Sequence, residues 1–238
     1  MSAFEGEIQL PFLSASQPLN PNSNPMSKII PFPKADSTEC GCCIEMPVAS
    51  VSEKAPLFEG KIFHDGAIST LRLSDLVGKK DGRWVVLFFY PADFTFVCPT
   101  ELEDIADHYA DLQKMGTEVI SVSTDTEWCH KVWADISPVI KKVKYPMLAD
   151  PTGDVCRAYG VYIEAEGLAK RGRFIIDPDG ILKSMEITDG PLGRNIEETL
   201  RQLKALQHMR TNPGLACPAN WREGAKTLKP GIDLAGKI

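Results

Sequence analysis

Seven consecutive apolar residues, Trp84-Val85-Val86-Leu87-Phe88-Phe89-Tyr90, constrain the fold more than any other feature of the chain. A strand that faces water on one side alternates apolar with polar residues. This run does not alternate, so it predicts a central strand covered on both faces. It is far too short to cross a bilayer as a helix.

The segments around it alternate strand with helix. Pro99 opens a helical stretch whose apolar positions Leu102, Ile105, Tyr109 and Leu112 share one face. Gly116 ends it, and residues 119–123 form the next strand. Asp125 takes the N-cap position of a helix through Trp128, Val132 and Ile136 that ends near Pro138. Phe174-Ile175-Ile176 and Ile181 to Met185 flank Asp177-Pro178-Asp179-Gly180, a hairpin signal. Residues 195–209 form the last helix, with Ile196, Leu200, Leu203 and Leu206 on one face. The expected architecture is α/β, a mixed sheet with helices on both faces.

The two ends differ from this middle. Residues 1–51 hold Pro11, Pro18, Pro21, Pro25, Pro31, Pro33 and Pro47 of the eighteen prolines, interleaved with Ser and Asn. Such composition offers little apolar surface against the entropy of ordering and reads as a disordered extension. Residues 52–209 read as the globular domain and 210–238 as a Pro/Gly-punctuated arm. Glu5 and Glu7 precede the first basic residue, Lys28, and the first arginine is Arg72. That pattern fits neither a secretory signal nor an organellar transit peptide, so the cytoplasm is the expected location. A net charge of −6 disfavours a nucleic-acid partner, and no membrane span is expected.

Seven cysteines in a chain too long to need a disulfide scaffold must be sorted by their neighbours. Cys98 sits where the loop leaving the central strand enters a helix, immediately before Pro99. Free backbone N–H groups and the positive end of the helix dipole stabilise a thiolate there. Position alone leaves a buried packing cysteine equally open. Thr95, three residues earlier, is close enough to offer a hydroxyl to the sulfur. Cys217 lies on the Pro/Gly-rich arm, beside Trp221. Cys129 and Cys156 read as packing residues within helices. Cys40, Cys42 and Cys43 lie in the extension; three thiols in four residues suit zinc poorly without a fourth ligand, and no metal site is expected. His64, His108, His130 and His208 are scattered and suggest none either. Cys98 is followed at the fourth position by Glu101, which excludes the Cys-x-x-Cys motif of a thioredoxin-like disulfide reductase.

The loop itself is more specific. Pro91-x-x-x-Thr95-x-x-Cys98 resembles the active-site signature of the peroxiredoxins, and the stretch from Phe89 to Leu102 is similar to the typical two-cysteine branch. The resemblance continues through Ser121 to Asp125, Asp150-Pro151-Thr152-Gly153, Arg171 to Asp177, Cys217-Pro218-Ala219-Asn220-Trp221 and Gly236-Lys237-Ile238. It spans about residues 52–238 and is similar to the bacterial alkyl hydroperoxide reductase C group.

This resemblance implies a thioredoxin-like fold and a peroxidase that needs no cofactor. It implies that Cys98 is the peroxidatic cysteine, attacking a hydroperoxide as thiolate and becoming a sulfenic acid. Thr95 and the Cys98 amide would supply donors, Pro91 would shield the sulfur, and Arg171 would stabilise charge, positioned by Glu101. Arg173 competes for the arginine role, but the Arg-Gly-x-Phe pattern favours Arg171. Cys217 would be the resolving cysteine, forming a disulfide with Cys98 of the partner in a homodimer, within a decameric ring. The electron donor stays open among a flavoprotein disulfide reductase, thioredoxin and an AhpD-like adaptor. A holdase activity, and a metal-binding role for the Cys40 cluster, remain alternatives. The chain departs from easily overoxidised members: Glu164-Ala165-Glu166-Gly167-Leu168 replaces a Gly-Gly-Leu-Gly insertion, and the C-terminus lacks a Tyr-Phe pair. Resistance to sulfinic acid formation is therefore expected.

Overall fold

The computed structural model describes residues 48–237. The expectations for the N-terminal extension, including the cluster Cys40, Cys42 and Cys43, fall almost entirely outside the described residues. Residues 48–51 lie within them, and Ala49 is buried, its N–H donating to Ala158 O at 2.9 Å.

Among the described residues the first two strands form a hairpin, β1 (Glu59–His64) and β2 (Ala67–Arg72), turned at Asp65 and Gly66, both with positive φ. Two such residues match the right-handed twist of a tight hairpin, and Asp-Gly is the usual pair for it. Next come β3 (Trp84–Phe89), α1 (Cys98–Lys114), β4 (Thr117–Ser123) and α2 (Glu127–Ile136). Then β5 (Met147–Ala149), α3 (Asp154–Ala158), and a two-stranded ribbon of β6 (Tyr162–Ile163) and β7 (Leu168–Ala169). The chain closes with β8 (Arg171–Ile176), β9 (Leu182–Thr188) and α4 (Ile196–Thr211), followed by the arm.

Seven strands form one mixed sheet in the order β2-β1-β5-β4-β3-β8-β9. β3 runs parallel to β4 and antiparallel to β8. Its continuous apolar run now has a reason: Val85, Leu87 and Phe89 enter the core on one face, with Tyr159 and Phe174. Trp84, Val86, Phe88 and Tyr90 enter the core on the other, against Leu102, Ile105, Leu112 and Leu203. Each such side chain contributes about 1.5–3 kcal/mol of burial. The fold is α/β and thioredoxin-like, as expected.

The hairpin β8–β9 turns where the sequence places it. Asp177 Oδ1 accepts from the N–H of Asp179 and of Ile181, and Gly180 takes φ +80°.

The α2 expectation needs one correction. Its N-cap is Thr126, whose hydroxyl accepts from Cys129 N, and not Asp125. Asp125 instead accepts from Asp93 N at 2.9 Å and Ser123 Oγ at 2.7 Å, tying α2's entry to the loop after β3. The helix also turns His130 and Trp133 inward, while Trp128, Val132 and Ile136 face outward and are largely exposed. Among the described residues no helix is long and apolar enough to cross a membrane.

Candidate active site

Cys98 is the first residue of α1, with Pro99 next inside the first turn. That turn's N–H groups have no acceptor four residues back, and proline loses nothing there because it has no N–H to satisfy. The loop leaving β3 drops the thiol into the core, where its side chain is fully buried.

β8 brings a cation to it. Arg171 Nη1 lies 3.5 Å from Cys98 Sγ and 2.6 Å from Glu101 Oε2, while Arg171 Nε donates to Gly190 O at 2.6 Å. Arg173, two residues on, is also buried but turns to Gln202 and Glu186, so Arg171 alone of the two reaches the sulfur.

Glu101 is buried rather than solvated. It accepts from Arg171 and takes three further bonds from Arg194, through its backbone N–H, Nε and Nη2 at 2.8, 2.8 and 3.1 Å. Burial pushes the carboxyl up, but the hydrogen bonds and charge of Arg194, with Arg171, outweigh it, and Glu101 ends below the ordinary carboxylate value. Such a buried ion pair is expensive to form, and removing one partner costs about 3–5 kcal/mol.

Arg194 is not among the expected site residues. Its third anchor is Gly172 O at 2.6 Å, and its guanidinium lies 5.1 Å from the Phe88 ring centroid. The signal available is the run Gly190-Pro191-Leu192-Gly193 before it. Gly193 lies beside the start of α1, where an added Cβ would make ordinary contact with Val97 Cγ1 at 3.4 Å.

Thr95 and Pro91 stand on the same loop, both half-buried. Thr95 Oγ1 donates to Ala92 O at 2.9 Å rather than to the sulfur, so its proton faces the loop and its lone pairs remain to accept.

Cys217 is elsewhere. It is half-buried on the arm, its thiol 3.4 Å from Met209 Sδ, in a cleft of about 320 Å³ with Lys183, Ser184, Arg201 and Gln202. Burial pushes its thiol pKa up, opposed by Arg201. Cys98, Cys129, Cys156 and Cys217 are all free thiols. Cys156 is fully buried and its thiol is pushed far up, first by burial and then by Asp150, which suits a packing role. Among the described residues no cluster of His, Cys, Asp and Glu is arranged to hold a metal.

A thioredoxin-like sheet that buries a helix-start cysteine against a guanidinium defines a thiol-based oxidoreductase. Residues 51–185 match the AhpC/TSA family, and residues 205–233 match the C-terminal domain of 1-Cys peroxiredoxin. The chain is 48% identical over 188 residues to alkyl hydroperoxide reductase C of Salmonella typhimurium, covering 79% of this chain and 98% of that protein. Enterococcus faecalis AhpC superposes with TM-score 0.68 at 46% identity, over 72% of this chain and 100% of that one. The reduced 2-Cys peroxiredoxin of Plasmodium vivax does so with TM-score 0.72 at 30% identity, over 77% and 94%. The chain therefore belongs to the AhpC/TSA family, the peroxiredoxins, and is a peroxide-reducing enzyme.

Proposed function

We propose that Cys98 reduces hydrogen peroxide and small organic hydroperoxides and is regenerated through a disulfide with Cys217 of a second subunit. The contact of Arg171 with both Cys98 Sγ and Glu101 carries this reading. A guanidinium held by a buried carboxylate cannot drift from the sulfur, and it favours negative charge there and on the departing oxygen.

The thiolate attacks the terminal peroxide oxygen. The O–O bond breaks, the alkoxide leaves with a proton as alcohol or water, and Cys98 becomes a sulfenic acid. The Cys217 thiol then displaces water to form the disulfide. A dithiol donor reduces that disulfide and releases both thiols; a flavoprotein disulfide reductase, thioredoxin or an AhpD-like adaptor all fit this requirement.

Cys98 is fully buried and Cys217 lies in a different cleft, which favours a meeting between subunits after the Cys98 loop opens. β9 supports a dimer: it is the sheet's edge strand, it exposes Met185 and Ile187, and its residues Lys183 and Ser184 border the Cys217 cleft. Phe94, Phe96, Trp128, Val132 and Ile136, on the Cys98 loop and α2, are also exposed large apolar side chains, which supports a higher assembly such as a ring of dimers. The setting we assign is cytoplasmic antioxidant defence, where a pool of dithiol donors is available.

Peroxide turnover with each donor class, in wild type, Cys98→Ser and Cys217→Ser, tests the reading. Activity should vanish without Cys98, and donor-dependent turnover should vanish without Cys217. Full turnover by Cys217→Ser with a dithiol donor would overturn the two-cysteine cycle.

A further inference from the structure

Cys217 stands at the head of a closed loop. Ala216 and Leu228 exchange both backbone hydrogen bonds at 2.8 Å, so residues 216–228 return on themselves beside the thiol. Trp221 pins this loop to α4: its side chain is buried, and its indole lies 4.9 Å from the His208 ring. Its carbonyl accepts from Arg201 Nη1 at 3.1 Å. Arg201 therefore grips the chain four residues beyond Cys217, and it also lines the Cys217 cleft.

Arg201 is itself held from behind. Its Nε and Nη2 donate to the two Glu198 oxygens at 2.6 and 2.7 Å, a fork that fixes the plane of the guanidinium. Gln202 Nε2 donates to Glu198 at 2.9 Å, while Gln202 Oε1 accepts from Ser184 Oγ at 2.7 Å and Arg173 Nη2 at 3.2 Å. These bonds tie α4 to β8 and β9 at the turn that presents Arg201. Glu198 is held down to about 2, first by its hydrogen bonds to Arg201, so the clamp stays charged.

The cleft surrounds Cys217 with opposing influences. Burial and the Met209 thioether, 3.4 Å away, favour the protonated thiol, because a thiolate has no proton to donate to sulfur. Among the described residues the charged groups lining the cleft are Arg201 from α4 and Lys183 from β9, both cations. Lys183 leans toward Asp177, 3.9 Å away. Arg201 is the cation fixed in place, and its charge opposes the effect of burial on the thiol.

We infer that Arg201 is a positioning residue for the second half of the redox cycle, holding Cys217 in its cleft through Trp221 and stabilising the Cys217 thiolate. This rests on the function proposed above, in which Cys217 resolves Cys98. The Cys217 thiolate attacks the Cys98 sulfenic sulfur; an S–S bond forms and the S–O bond breaks. Hydroxide leaves and takes up a proton equivalent to the one Cys217 gave to solvent, so water is the product. A cation beside Cys217 raises the fraction of the attacking anion at neutral pH.

The experiment measures Cys217 alkylation by iodoacetamide against pH, by peptide mass spectrometry on the reduced full chain, and disulfide formation after one peroxide addition. Arg201→Gln removes the charge and keeps an amide for Trp221 O; Arg201→Lys keeps the charge and loses the fork. In Arg201→Gln the alkylation midpoint should rise by about one pH unit, the scale of losing one nearby opposite charge. The thiolate fraction then falls about tenfold, offset about threefold by the greater nucleophilicity of a more basic thiol, so reaction at neutral pH slows about threefold. Above the midpoint the same variant should react about threefold faster than wild type. Arg201→Lys should stay near the wild-type midpoint. Disulfide formation in Arg201→Gln should slow about threefold at neutral pH, while sulfenic acid forms on Cys98 at the wild-type rate. Slowing at every pH with an unmoved midpoint is what a merely structural role gives, and it would overturn the inference. If Arg201→Gln does not fold, Glu198→Gln decides: it keeps an acceptor for the fork and removes the opposing charge, so the midpoint should fall, and an unmoved midpoint would overturn the inference. Absence of any Cys98–Cys217 disulfide in wild type is a different failure, of the proposed function, and takes the redox role of Arg201 with it whatever the midpoints.

Discussion

Arg171 and Glu101 are joined by a 2.6 Å hydrogen bond inside the core, and the same guanidinium nitrogen faces the sulfur of Cys98. The pair links β8 to the first turn of α1. Its geometry is fixed by Arg194, which satisfies the rest of the Glu101 carboxylate. Glu101→Gln keeps the shape and removes the charge, leaving two buried guanidinium groups uncompensated. A stability loss of about 3 kcal/mol is expected in urea unfolding. Peroxide kcat/KM should fall about 100-fold, the scale of losing one preorganised charge-stabilising donor.

The same carboxylate governs acid stability. Its value in the folded protein is below the ordinary 4.5, so the unfolded chain binds this proton more readily than the folded one. The stabilisation is complete above 4.5 and is lost as pH falls through the lower folded value. Urea midpoints should therefore hold this contribution constant from neutrality to about pH 5 and lose it below the ordinary value. Glu101→Gln should flatten that part of the curve, which a pH series on both proteins would show.

Arg194 touches no sulfur, yet its loss should be felt at Cys98. Arg194→Lys keeps a charge but not the fork that meets both Glu101 oxygens and Gly172 O. Peroxide reduction should slow about tenfold, the scale of a weakened charge-assisted bond, with a smaller change in stability than Glu101→Gln causes. Single-turnover kinetics and thermal melts together would measure both.

These residues also show how far the sequence can be read. The run from Trp84 to Tyr90 shows a strand buried on both faces because lack of alternation has one physical cause. Cys98 is legible because proline and a strand-to-helix junction place it at a helix start. Arg194 is not, because its position depends on a glycine-rich loop closing on α1, a tertiary event with no local period. In α2, the sequence supports a helix through Trp128, Val132 and Ile136 but carries no information on which side meets this chain's core, and here the inward residues are His130 and Trp133. The choice between Asp125 and Thr126 as cap turns on a one-residue register that Asp93 decides from another loop.

Overoxidation should be slow. The stretch Glu164 to Gly167 is a short turn between β6 and β7, and among the described residues the arm holds no helix longer than the turn Ile232–Leu234. Little there restrains opening of the Cys98 loop. Repeated turnover with modest peroxide should leave Cys98 free of sulfinic acid, as read by mass spectrometry; early accumulation would contradict this.

Deleting residues 1–47 should leave peroxide turnover unchanged, since every residue assigned to the cycle lies between Pro91 and Cys217. A loss of turnover on deletion, measured with the same donor, would bring Cys40, Cys42 and Cys43 into the mechanism.

The most direct test of the two-cysteine cycle mixes heavy-isotope and light subunits, re-equilibrates them, adds one equivalent of peroxide without donor, and maps the disulfides by mass spectrometry. The expected result is a single major linkage, Cys98 to Cys217, found also as mixed heavy–light peptides. Linkage confined to unmixed peptides, or Cys98 joined to Cys129, Cys156 or the Cys40 cluster instead, would contradict it.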